Sequence, residues 1–77
     1  NPFNPKTNFG FRIADFGFVT LKIYDVLGNE IATVINEEKP AGEYEIKFDG
    51  SNLPSGIYFY QLQAGSFVGT KKMLLLK

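Results

Sequence analysis

Apolar residues recur at every second position through much of this chain. Phe9, Phe11 and Ile13 alternate with Asn8, Gly10 and Arg12. Val19, Leu21 and Ile23 alternate with Thr20, Lys22 and Tyr24, and Tyr44, Ile46 and Phe48 alternate with Glu43, Glu45, Lys47 and Asp49. A period of two is that of an extended strand with one buried face. The fully polar set from Glu43 to Asp49 marks a strand of an antiparallel sheet with one wet face. No helical period survives anywhere. Strands are therefore expected over Asn8–Ala14, Phe18–Asp25 and Glu43–Asp49. A further strand from Glu30 to Ile35 has a less regular pattern, and its faces stay unassigned.

The stretch Leu53-Pro54-Ser55-Gly56-Ile57-Tyr58-Phe59-Tyr60-Gln61-Leu62 organises the second half. Pro54 fixes one backbone angle and Gly56 is free to take a positive φ, so the stretch opens as a turn. Tyr58, Tyr60 and Leu62 then share one face, with Ile57, Phe59 and Gln61 on the other. Apolar residues on both faces predict a central strand covered on both sides. The order of turn, Gly-x-Tyr and core strand resembles the tyrosine corner of immunoglobulin-like sandwiches, whose hydroxyl bonds backbone a few residues upstream. Tyr58 is the candidate.

Turns punctuate the strands. Asp15-Phe16-Gly17 is one. Asp25-Val26-Leu27-Gly28-Asn29 closes a hairpin, with Gly28 and Asn29 suited to positive φ. Asn36 to Gly42 reads as a polar loop, Asp49 to Asn52 as a turn, and Ala64-Gly65-Ser66 as a hairpin connection. Gly10 weakens the first strand and predicts a bulge or a close backbone approach. Phe67 to Lys77 reads as the last strand or two. Six or seven short strands with frequent turns predict an all-β fold, a small antiparallel Greek-key immunoglobulin-like β-sandwich, with an open barrel as the alternative. Asn1-Pro2-Phe3-Asn4-Pro5 reads as a lead-in, so residues 1–6 are expected to end a linker and 1–77 to form one domain.

Composition narrows the chemistry. The 77 residues include no cysteine, no histidine and no tryptophan. Disulfides, thiolate metal sites and His-based triads are excluded. So small a fold must rest on packing, for which eight Phe and four Tyr are the material. The first residue is Asn, so the chain is expected to be a piece of something longer, with any export signal upstream. No apolar run reaches the roughly 18 residues of a membrane span. Net charge is zero but unevenly laid out. Residues 1–24 carry +2, residues 25–49 carry seven acids against Lys39 and Lys47 for −5, and residues 50–77 carry Lys71, Lys72 and Lys77 with no acid for +3. A neutral domain with three tail lysines does not fit nucleic acid. It fits a solvated strand edge that discourages unwanted pairing.

Glu37 and Glu38, and Glu43 and Glu45, read as solvated surface, because acid/base pairs need a cleft that splits their pKa values. Asp25 with Asn29, and Asp49 with Ser51 and Asn52, offer too few oxygens for calcium and read as Asx turns. No phosphate-binding glycine loop occurs. Ser51, Ser55 and Ser66 lack a histidine partner. Phe16, Phe18 and Tyr24 could face a sugar, but the inward alternation of most aromatics assigns them to a core. The residues predict neither an enzyme nor a cofactor.

In order along the chain, Asn1-Pro2-Phe3-Asn4-Pro5, Phe9-x-Phe11, Val19-x-Leu21-x-Ile23-Tyr24-Asp25-Val26-Leu27-Gly28, Pro40-Ala41-Gly42, Leu53-Pro54-Ser55-Gly56-Ile57-Tyr58 and Thr70-Lys71-Lys72-Met73 with Lys77 resemble the C-terminal sorting domain of the type IX (Por) secretion system. Related immunoglobulin-like modules occur in the flagellar hook-capping protein. One departure is Gly10, where a larger residue is expected. The resemblance implies a non-catalytic address at the end of an exported cargo protein. It implies recognition by the outer-membrane translocon and removal by a sortase-like peptidase, with cargo ending at the cell surface or in the medium. By position it gives recognition to Thr70, Lys71, Lys72, Met73 and Lys77, and structural roles to Gly28, Pro54, Gly56, Tyr58 and Tyr60. A lysine-flanked terminal strand at a sheet edge offers backbone pairing and charge complementarity. The alternative is a structural immunoglobulin-like module, a spacer or a self-assembling subunit of an extracellular filament or hook-type structure.

Overall fold

The structure, a computed structural model, describes residues 6–76. The lead-in Asn1–Pro5 and the last lysine, Lys77, lie outside the described residues. Six strands follow in order: β1 Lys6–Ile13, β2 Gly17–Tyr24, β3 Glu30–Lys39, β4 Gly42–Asp49, β5 Gly56–Ala64 and β6 Phe67–Leu75. All pairing is antiparallel. β1 and β4 form a two-stranded sheet, and the other four form a sheet in the order β3-β2-β5-β6. The chain crosses between sheets from β1 to β2, from β3 to β4 and from β4 to β5. The result is a small β-sandwich, and its thinnest extent of 17 Å is that of two layers with their side chains.

The alternating residues of the sequence make the core. Val19, Leu21 and Ile23 on β2 are at most 1% exposed. Phe9 and Ile13 descend on them from β1, and Ile35, Tyr58 and Leu75 close the sides. The ring of Phe9 lies 4.5 Å from that of Tyr60, which ties the two sheets together at β1 and β5. Tyr44 stacks on Phe11 at 5.5 Å, so the two-stranded sheet also packs along its own length. The outer face of that sheet is wholly polar, as the Glu43–Asp49 pattern requires.

The structure departs from the sequence reading in four places. β3 runs on to Lys39, so Asn36–Lys39 is strand and not loop, paired with Gly17–Thr20 of β2. The polar residues there are strand residues at an uncovered edge, where periodicity carries no burial signal. The register of β2 against β3 shifts twice, skipping Val34 and Ile31, which is why β3 showed no clean alternation. Gly10 makes no bulge: β1 and β4 stay in unbroken register from Lys6 opposite Asp49 to Ile13 opposite Gly42. Gly28 takes φ +88° in the β2–β3 turn, but no described residue other than glycine has a positive φ, so Asn29 does not share that role. Finally, β5 is interior in strand order but covered on one face only. Ile57 on its outer face is 42% exposed, because no third layer lies over the four-stranded sheet.

Candidate functional site

The stretch from Pro54 to Tyr58 closes on itself. The Tyr58 hydroxyl donates to the Pro54 carbonyl oxygen at 2.6 Å, and the ring is 6% exposed. The turn before it is held by the Leu53 N–H donating to the Gly50 carbonyl at 2.9 Å. Gly56 enters β5 at φ +156°, outside the range that side-chain-bearing residues favour. This is the expected tyrosine corner, and it fixes where β5 begins.

A second corner went unread in the sequence. The Tyr44 hydroxyl donates to the Pro40 carbonyl at 2.5 Å, and Gly42 enters β4 at φ +152°. The signal was present: Pro40-Ala41-Gly42-Glu43-Tyr44 and Pro54-Ser55-Gly56-Ile57-Tyr58 are the same Pro-x-Gly-x-Tyr spacing, one for each sheet. Lys39 covers the Tyr44 ring, its Nζ 4.7 Å from the centroid, and pairs with Glu37 at 2.9 Å.

The carboxylates in turns do structural work. Asp25 accepts from the Leu27 and Asn29 N–H groups, both at 2.9 Å, which shapes the β2–β3 turn. Hydrogen bonding from the Asn29 N–H holds the Asp25 carboxyl below its ordinary pKa. Asp49 is lowered chiefly by the Ser51 hydroxyl, and Glu30 by the Thr33 hydroxyl and then by Lys22 at 3.4 Å. Among the described residues no cluster of three His, Cys, Asp or Glu could hold a metal ion. Glu43 pairs with Arg12 across the wet face of the two-stranded sheet. Phe18 and Tyr24 stand at opposite ends of β2, about 20 Å apart at strand rise, and make no shared platform. A groove of about 370 Å³ lies between the β1–β2 turn and the β5–β6 turn, walled by Ile13, Phe16, Val19, Ala64 and Phe67.

β6 is one of the two edges of the four-stranded sheet, next to β5 only, with β3 at the other edge. Of the residues placed at recognition, Thr70, Lys71, Lys72 and Met73 sit together in the middle of the strand, and Lys77 lies outside the described residues. Directly opposed residues share a face, so the register divides them. Lys71 opposes Tyr60 and Met73 opposes Tyr58 on the inner face, while Thr70 opposes Gln61 and Lys72 opposes Phe59 on the outer face. Gln61 Nε2 donates to the Thr70 hydroxyl at 3.1 Å. Both lysines are exposed, and among the described residues neither is in an ion pair. Exposed apolar residues flank them: Val68 at 53% and Leu74 at 52%.

The family described as secretion system C-terminal sorting domain matches residues 1–76. No curated protein and no solved structure matches. The chain belongs to that family, the sorting domains of the type IX (Por) secretion system.

Proposed function

We propose that residues 1–77 act as one non-catalytic domain that directs a larger secreted protein through the type IX system to the cell surface or the medium. The upstream part of the protein is the cargo. An export signal on it takes the protein to the periplasm, the outer-membrane translocon then reads the domain, and a sortase-like peptidase acts on it. Recognition falls on Thr70, Lys71, Lys72 and Met73, with Lys77 beyond them. The observation that supports this reading is that Thr70, Lys71, Lys72 and Met73 lie on an exposed edge strand whose two lysines have no acidic partner among the described residues. A lysine pair left unneutralised at an edge is available to a partner.

The test is a fusion. Residues 1–77 are placed at the C-terminus of a periplasmic reporter in a bacterium with a working type IX system. Reporter in the medium or on the surface is expected, and deletion of residues 71–77 is expected to abolish it. Reporter held in the periplasm with the domain folded would overturn the reading and move the weight to a structural module.

A further inference from the structure

Resting on the sorting reading above, we propose that the recognition partner adds a strand to the open edge of β6. This added strand carries acidic residues opposite Lys71 and Lys72 and apolar residues opposite Val68 and Leu74. The backbone supplies the first argument. Ala64 and Phe67 close a two-residue turn, so they form a hydrogen-bonded pair of the β5–β6 ladder. Alternation then turns the N–H and C=O groups of Phe67, Gly69, Lys71, Met73 and Leu75 toward β5. Those of Val68, Thr70, Lys72 and Leu74 face away, and no described strand lies beyond them.

The side chains supply the second argument. A sheet edge left open by a soluble domain is normally blunted by charge. Here the two lysines blunt β6 against itself, since a second β6 would bring like charges together and β6 has no acid to answer them. The same lysines favour an acidic strand. Lys71 projects on the inner side of the sheet yet stays exposed, because the two-stranded sheet does not reach over this part of β6. Lys72 projects on the outer side beside Phe59. An added strand therefore meets one lysine on each of its faces, so neighbouring acidic residues satisfy both. Val68 and Leu74 lie on the outer side, Val68 three residues before Lys71 and Leu74 two after Lys72, and each is more than half exposed. They give the added strand apolar surface to bury at either end of the charged centre. Strand addition of this kind takes affinity from the main chain and selectivity from alternate side chains.

The test uses the reporter fusion with a proline that removes one outward N–H. Thr70→Pro leaves the β5 ladder intact and blocks an incoming strand. Gln61→Ala breaks the same Gln61–Thr70 side-chain bond and keeps the Thr70 N–H. Thr70→Pro is expected to keep the circular dichroism spectrum and lower exported reporter about tenfold, equivalent to about 1.4 kcal/mol, while Gln61→Ala exports normally. Normal export of a folded Thr70→Pro fusion would overturn strand addition and leave the sorting function standing. Failure of the unmodified fusion would instead sink the sorting reading. If Thr70→Pro and Val68→Pro both fail to fold, those N–H groups belong to the β5 ladder and the proposal is wrong. Self-association of the chain that Thr70→Pro abolishes would also overturn it, by giving the edge to a second copy.

Discussion

Replacing Tyr58 by Phe removes one oxygen and nothing else. The ring is 6% exposed and keeps its place in the core, so no cavity forms. What is lost is the 2.6 Å hydrogen bond to the Pro54 carbonyl. A net intramolecular hydrogen bond contributes about 1 kcal/mol, and a partly buried acceptor left without its partner adds to the cost. A loss of about 1–2 kcal/mol is therefore expected. For a chain of this size each kcal/mol lowers the melting temperature by roughly 4–8 °C, a shift that thermal unfolding followed by circular dichroism resolves easily. Tyr44→Phe is the internal control. It breaks the same bond in the same Pro-x-Gly-x-Tyr frame, but that corner is exposed, and water replaces the lost donor. Its expected cost is about half a kcal/mol or less. The corners belong to different sheets and have no hydrogen bond or ring pair in common, so the double variant should lose the sum within about 0.5 kcal/mol. Tyr58→Phe melting within a degree of the parent, or Tyr44→Phe costing more than Tyr58→Phe, would refute the argument that burial sets the worth of a corner.

Two further outcomes follow from the same geometry. Gly56→Ala meets no atom within 4 Å of the new Cβ, so its whole cost is backbone strain at φ +156°, about 1–3 kcal/mol; a urea midpoint unchanged from the parent would contradict it. Asp25, Glu30 and Asp49 have lowered carboxyl pKa values in the fold, so the stability they give is present above their unfolded values and is lost as pH falls through the folded ones. Melting temperature should hold from neutral pH to about pH 5 and then fall below about pH 4, less steeply in Asp25→Asn; a flat profile down to pH 2.5 would remove these turns from the account.

Much of the fold was legible because burial and polarity alternate wherever a strand has one covered face. That is why the alternation of Val19, Leu21 and Ile23, and of Tyr44, Ile46 and Phe48, matches the faces these residues turn to the core. The pattern failed where its physical cause was missing. The end of β3, Asn36–Lys39, pairs through its backbone at an edge, and Glu37 and Glu38 have nothing apolar to bury there. The doubled register shift in β3 changes the face of successive residues without changing their type, so no period survives. Apolar residues on both faces of β5 suggested two covered faces, but Ile57 and Phe59 lie on an outer face that no layer covers. Of the candidate site, the corner at Tyr58 was legible from its proline, glycine and tyrosine. The corner at Tyr44 has the same three residues, and it escaped because its sequence was read as the end of a loop. That β6 is an edge could not be read at all, since strand order is set by which pairs meet, not by the residues of one strand.

The layout of β6 separates anchored positions from exposed ones. Its inner-face positions run Phe67, Gly69, Lys71, Met73 and Leu75. Leu75 is 2% exposed and Met73 half-buried against the core, so the strand is anchored at its C-terminal end. The two-residue turn at Gly65 anchors the other end. Between these anchors, Gly69 and Lys71 put no apolar side chain into the core, and Thr70 and Lys72 point outward. The segment from Gly69 to Lys72 is thus held by the β5 ladder, the Gln61–Thr70 bond and its flanks, with little packing of its own. Substitutions at Lys71 and Lys72 then change what the edge presents while leaving the core contacts of Met73 and Leu75 in place, because surface changes remote from packing cost within about 0.5 kcal/mol. A domain of this size has little stability to give up, so exposed positions on an open edge that pack against nothing are the ones that can vary without unfolding the fold that displays them.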